Sequence, residues 1–299
     1  MAGLRRHRVA LSGDVKFRLE LDHIMKLRGE AVDMSVVTQV TRIVNLFAKQ
    51  SKTLVLKFTQ DHIYILAEPE VTERAMRLWT EIPQSSLFQQ YELAGIPPDN
   101  VIYLKTKSEN LMNSLKTSAS NCRSLKIKLR QRTTPCLSLE FEQTSQLTNK
   151  SRIIYNYIDV EVVYKRYWNR YEEPNLPPPD ITAILPPVAH LKSFTEKCRN
   201  IVSLLNISLT ASRDLVFQVK GESLEITRKF TNVNIEDDHR SLAFHAAITV
   251  DIKRVNNFFK ALHPSSNIQV YLNLTDERNA HFSFLQDGIT VQFVLPHIS

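Results

Sequence analysis

Glycine is scarce in this 299-residue chain, with six residues in all. They stand isolated at positions 3, 13, 29, 95, 221 and 288, and no GxGxxG or GxxxxGK[ST] pattern occurs. A backbone loop that wraps a nucleotide's phosphates is therefore not expected. Long apolar runs are also missing. The longest span only a few residues, as at Leu54–Val55–Leu56, where a membrane helix needs about 20. No secretory h-region follows the N-terminus, so neither membrane insertion nor secretion is expected. The three cysteines, Cys122, Cys136 and Cys198, are far apart, odd in number and outside any CxxC spacing. They read as reduced thiols of a cytosolic or nuclear protein, used as small buried hydrophobes.

The nine histidines are scattered, with no HxxxH or HExxH pair, and no GxSxG elbow is present. The one dense acidic run, Glu236–Asp237–Asp238–His239, reads as a solvated loop rather than a metal site. No catalytic residue, metal ligand or cofactor is assigned.

What the chain does have is a globular composition, a basic balance and a repeated order of elements. Apolar residues make up 43%, and the length suits two domains. The net charge is +7, and the first half carries the excess: residues 1–155 hold 23 Lys or Arg against 15 Asp or Glu. That suits a polyanionic partner. Residues 5–8 add a basic tail that suits nuclear import or nucleic-acid contact.

Apolar alternation predicts a first strand at Val15–Leu21, followed by a surface-loop insertion over Asp22–Ala31. Helical spacing of Val36, Val40, Ile43, Val44 and Phe47 predicts a helix over Met34–Gln50, with Asp33 as its N-cap. Strands follow at Thr53–Thr59, His62–Ala67, Met76–Glu81, Leu87–Leu93 and Val101–Lys105. A second helix is expected at Ser108–Ala119, then strands at Leu125–Leu129, Cys136–Phe141 and Ile153–Val163. The second half repeats this order. It starts with a strand at Ile181–Leu185 and a helix at Val188–Val202. Strands follow at Leu204–Leu209, Val216–Val219, Leu224–Phe230 and Ala243–Val250, then a helix near Asp251–Leu262. Strands at Ile268–Leu274, His281–Phe284 and Thr290–Leu295 end the chain. Leu111, Leu115 and Lys116 lie 144 residues before Val255, Phe259 and Lys260, so the halves agree in register as well. Between them Tyr164–Asp180 holds four prolines and an aromatic cluster around Trp168. It reads as an extended, ordered strap.

The stretch SENLMNSLKTSASNCRSLKIKL, residues 108–129, followed by Pro135–Cys136–Leu137, closely resembles the Hus family. There a helix ending in LKTA runs into an LKIKL-like strand and then an FPCL-like strand. Lys16–Phe17–Arg18, Ser151–Arg152–Ile153 and the ending Val291–Gln292–Phe293–Val294–Leu295–Pro296 agree in the same order. Departures are the basic tail, the 22–31 insertion, and Thr134 where the pattern has Phe. The resemblance implies an α+β DNA sliding-clamp fold of two similar domains, each with two helices backed by antiparallel sheet. Its division here is a tail at 1–13, domain one at 14–163, the strap at 164–180 and domain two at 181–299. It further implies a non-catalytic subunit that closes a heterotrimeric ring with two Rad-type clamp subunits around double-stranded DNA. An ATP-dependent clamp loader places the ring at damage, and the ring engages checkpoint and repair proteins in the nucleus.

Such a ring needs positive charge facing its hole. Arg42 and Lys49, Lys192 and Arg199, and Lys253 and Lys260 each stand seven apart, about two turns, opposite the apolar stripe of a helix. With Lys116 they are the expected DNA-facing residues, meeting phosphates rather than bases. Ring closure needs strand edges, expected at Ile153–Val162 and Leu224–Phe230. The interface side chains are then Ile153, Tyr155, Tyr157, Leu224, Ile226 and Phe230. A homotrimeric replicative clamp, or a DNA-processing enzyme on another fold, is the alternative.

Overall fold

The computed structural model describes residues 25–69, 75–118, 122–144, 151–210, 212–236, 245–262 and 268–298. The expected Val15–Leu21 strand, the Lys16–Phe17–Arg18 match, the basic tail and Asp237–His239 lie outside them.

Four helices longer than one turn are described. α1 (Met34–Gln50) starts at Asp33, whose carboxylate accepts from the Ser35 amide at 2.8 Å. It buries Val37, Thr41 and Val44 at helical spacing, together with Ile43, Leu46 and Phe47. α2 (Gln84–Leu87) is a single turn. α3 spans Ser108–Ser118, α4 Val188–Cys198 and α5 Ile252–Ala261. α3 and α5 begin 144 residues apart, the offset of the sequence repeat. Their matched apolar residues, Leu111, Leu115, Val255 and Phe259, are all buried.

The strands form three antiparallel sheets. A five-stranded sheet runs β5 (Gln90–Ala94), β1 (Lys26–Ala31), β7 (Cys122–Gln131), β8 (Pro135–Thr144), β9 (Ser151–Asp159). A four-stranded sheet runs β14 (Glu225–Phe230), β13 (Leu215–Lys220), β12 (Leu204–Thr210), β16 (His245–Asp251). A ten-stranded sheet takes five strands from each half. The first half gives β10 (Glu161–Val162), β6 (Ile102–Lys107), β2 (Thr53–Phe58), β3 (His62–Ala67) and β4 (Arg77–Pro83). The second continues with β19 (Ile289–Pro296), β18 (Asn279–Gln286), β17 (Val270–Thr275), β11 (Ile181–Ile184) and β15 (Ile235–Glu236). The halves join where β4 meets β19, with Trp79 opposite Gln292. On the helix side the second core is phenylalanine-rich: the Phe258 ring stacks on Phe293 at 5.4 Å and lies 5.5 Å from Phe282.

Five expectations need correction. Residues 26–31 are not an inserted loop but β1, paired on both sides. Its inward residues are Leu27, Gly29 and Ala31, two of them too small to signal an apolar face. Gly29 is required there: a Cβ at that position would lie 2.7 Å from the Phe88 ring. The second correction follows from the same contact. Leu87–Leu93 is not one strand, because Leu87 ends the α2 turn and Phe88 plugs the core before β5 starts. Third, Ile153–Val163 breaks at Val160, whose amide donates to the Pro135 carbonyl, and the chain crosses from the five-stranded to the ten-stranded sheet. Fourth, the strap is extended only in its later part. Lys165–Tyr171 forms a 3₁₀ helix that buries Trp168 and Tyr171. The Trp168 Nε1–H donates to the Val163 carbonyl at 2.9 Å, and its ring lies 4.7 Å from that of Tyr103. The α4 helix also stops earlier than expected, at Cys198 rather than Val202.

Candidate nucleic-acid interface and strand edges

The four long helices form one connected layer. α1 packs against α3 and α5, and α5 packs against α4. The seam between the halves is tied by Gln50, whose Nε2–H donates to the Arg254 carbonyl at 2.9 Å. Within these helices stand eight Lys or Arg and only two Glu, Glu109 and Glu196. Their net +6 compares with +7 for the whole chain. Nearly all the excess charge of the molecule is thus matched by one layer.

The seven expected DNA-facing residues all sit on this layer or at its helix ends. Arg42, Lys49, Lys116 and Lys253 are exposed; Lys192, Arg199 and Lys260 are half-buried. Lys49 reports how close they come. Partial burial of its stem, and then the charges of Lys116, Lys260, Arg199 and Lys192, hold its pKa below the usual lysine value. Four of the other six cations are therefore within electrostatic reach of one ammonium. Arg42 and Lys253 are outside that group. Lys260 is not free, since its Nζ pairs with Glu196 at 2.8 Å. Arg199, just beyond α4, has a buried Nε with no hydrogen-bond partner among the described residues. Lys197 on α4 and Arg254 on α5 were missed by sequence reasoning, because neither stands in a seven-spaced pair. Such a surface supplies diffuse attraction for a phosphate backbone.

The expected edges are also edges of sheets. β9 ends the five-stranded sheet and β14 ends the four-stranded one. On β9, Ile153, Tyr155 and Tyr157 are 55%, 49% and 46% exposed. They share one face, away from the helices, whereas Asn156 on the other face donates to the Ser114 carbonyl of α3. On β14, Ile226 and Phe230 are partly buried, and Leu224, just before the strand, is 40% exposed. The opposite edges, β5 and β16, show no exposed large apolar side chain. Ile201, 58% exposed in the turn after α4, escaped the sequence reading because the helix was expected to run on to Val202.

Elsewhere the chemistry is structural. Cys136 and Cys198 are buried and Cys122 half-buried, and no disulfide joins them. Burial raises the pKa of each. Among the described residues, no cluster of His, Cys, Asp or Glu has the makings of a metal site.

This architecture of paired sheets and a helix layer is that of sliding clamps. Its solved neighbours include proliferating cellular nuclear antigen from Entamoeba histolytica, with a TM-score of 0.68 at 15% identity over 92% of this chain and 99% of that one. PCNA from Thermococcus kodakaraensis superposes with a TM-score of 0.67 at 12% identity, over 91% and 100%. The family model described as Hus1-like protein matches residues 25–299. Checkpoint protein HUS1 of Homo sapiens is 30% identical over 285 residues, covering 92% of this chain and all of that protein. Checkpoint protein Hus1-like of Drosophila melanogaster is 23% identical, covering 92% and 99%. The chain belongs to the Hus1-like family and has the sliding-clamp fold.

Proposed function

We propose that the chain is a non-catalytic subunit of a heterotrimeric checkpoint clamp. Two Rad-type subunits complete the ring, and double-stranded DNA passes through its hole. The observation that carries this is the helix layer, where a net +6 sits on one connected surface of a clamp fold. Arg42, Lys49, Lys116, Lys192, Arg199, Lys253 and Lys260 face the DNA in this reading. β9 and β14 pair with the neighbouring subunits. The chain divides into clamp domains at 14–163 and 181–299, joined by the 164–180 strap.

Loading by an ATP-dependent clamp loader, action in the nucleus, and engagement of checkpoint and repair proteins belong to the same proposal. They are supported by the relatives' shared designation as checkpoint proteins. The test is co-expression of the full chain with its two presumed Rad-type subunits, followed by mass measurement in solution. The expected species contains one copy of each. A stable homotrimer of this chain, indifferent to both, would replace this reading with that of a homotrimeric clamp.

A further inference from the structure

Lys49 is set apart by the place where α1 ends. That end is clasped from two sides. Ser108, which opens α3, donates its hydroxyl to the Ser51 carbonyl at 2.6 Å, and Gln50 donates to the Arg254 carbonyl of α5 at 2.9 Å. Lys49 stands exposed in the last turn, at this junction. Cations from the three other long helices gather around it: Lys116 of α3, Lys260 of α5, Lys192 of α4 and Arg199 just beyond α4. The carboxylates of the layer do not offset them. Glu196 pairs with Lys260 at 2.8 Å, and among the described residues no carboxylate pairs with Lys49.

Two requirements of amine acylation meet in this cluster. An ammonium has no electron pair to attack a carbonyl, and a lysine set among other cations gives up its proton more readily. Burial of the Lys49 stem and then the four neighbouring charges act in that direction, holding its pKa below the usual lysine value. The acyl donor must also be brought close. A coenzyme A thioester carries a pyrophosphate and a further phosphate, which a group of Lys and Arg side chains attracts. We propose that Lys49 is a site of N-acylation by acyl-coenzyme A thioesters, recruited through their phosphates by Lys116, Lys192, Arg199 and Lys260. The ammonium first loses a proton to solvent. The free Nζ then attacks the thioester carbonyl carbon, a C–N bond forms, the C–S bond breaks, and the second amine proton leaves with the coenzyme A thiol. The product is a neutral amide, so the layer loses one of its net +6 charges. On the clamp reading this loosens the hold on DNA, and DNA in the hole competes with the thioester for the same cations. The acylation stands on the cluster alone; only its effect on DNA rests on the clamp reading.

The experiment incubates the full chain at neutral pH with acetyl-coenzyme A, or with the uncharged thioester S-acetyl-N-acetylcysteamine. Acetylation of each lysine is followed by peptide mass spectrometry. With acetyl-coenzyme A, Lys49 is expected to react about threefold or more faster than Lys107 and Lys220, two exposed lysines at strand ends. That lead is expected to shrink with the uncharged thioester. It should shrink in the same way with acetyl-coenzyme A in high salt, and in Lys116→Gln with Lys192→Gln. Equal rates at Lys49, Lys107 and Lys220 overturn the proposal. A lead of the same size with both donors removes the recruiting role of the neighbours, and the proposal with it. In the assembled ring Lys49→Gln, which has lost the charge as an acylated lysine has, is expected to lower the slope of log DNA affinity against log salt by about 1. If Lys49 is acylated as expected but this variant binds DNA unchanged, the DNA-facing role of the cluster fails while the acylation stands.

Discussion

Lys49 and Lys260 belong to one group of cations, but Lys260 shares its charge with Glu196. Among the described residues Lys49 has no carboxylate partner. Lys49→Ala in the assembled ring should therefore weaken DNA association more than Lys260→Ala. It should lower the slope of log affinity against log salt by about 1, as loss of one phosphate contact does. Glu196→Gln should strengthen association at low salt by releasing Lys260; fluorescence anisotropy on a short duplex measures all three variants. A second residue gives a pH signature. Burial pushes the Glu140 carboxyl up, but hydrogen bonds from Lys128 and Arg130 outweigh it and hold the pKa below the usual carboxylate value. A depressed folded pKa stabilises the protein above the unfolded value and stops doing so as pH falls through the folded one. Glu140→Gln should thus flatten the fall of the urea midpoint between neutral pH and the acid side of the carboxylate range. Six of the seven expected cations stood out in the sequence because a spacing of seven marks one line on a helix; Lys116 stands outside such a pair. The Lys260–Glu196 pair was not, since it joins two helices 64 residues apart in sequence.

α5 depends on its cap. The Asp251 carboxylate accepts from the amides of Lys253 at 2.7 Å and Arg254 at 3.2 Å. Asp251→Ala should cost about 1 kcal/mol in chemical denaturation. That cost should also appear in DNA binding, because three cations of the layer ride on this helix. The strap is anchored more strongly. Trp168 is 8% exposed, with its ring on Tyr103 and its N–H on Val163. Trp168→Ala should cost about 3 kcal/mol or free the strap locally, and hydrogen exchange across 164–171 distinguishes the two outcomes. Helices and long alternating strands were legible in sequence, because their periodicity needs no knowledge of neighbours. β1 was hidden for a physical reason: an inward face made of Leu27, Gly29 and Ala31 carries little hydrophobic signal, and Gly29 is there to admit Phe88. The Val160 break was hidden too, since it is set by a carbonyl at Pro135 in another strand.

Across the whole molecule, the charge and the edges divide the work. In the proposed ring, the helix layer attracts DNA weakly and without regard to sequence, which leaves the ring able to move. On the same reading the edges close the ring, and closure rather than affinity retains it. Left unpaired, strands such as β9, with two tyrosines and an isoleucine exposed along one face, are prone to association. The isolated chain should accordingly lose solubility at high concentration and regain it on adding its neighbours, as light scattering would show. The repeat that builds both halves was legible from element order alone. The most direct test of the central claim is retention on DNA after loading, measured on a nicked circle and on the same molecule cut once. A clamp held by topology stays on the circle through a high-salt wash and leaves the linear form by sliding off its ends. Equal loss from both, following salt alone, would contradict a ring that encloses DNA.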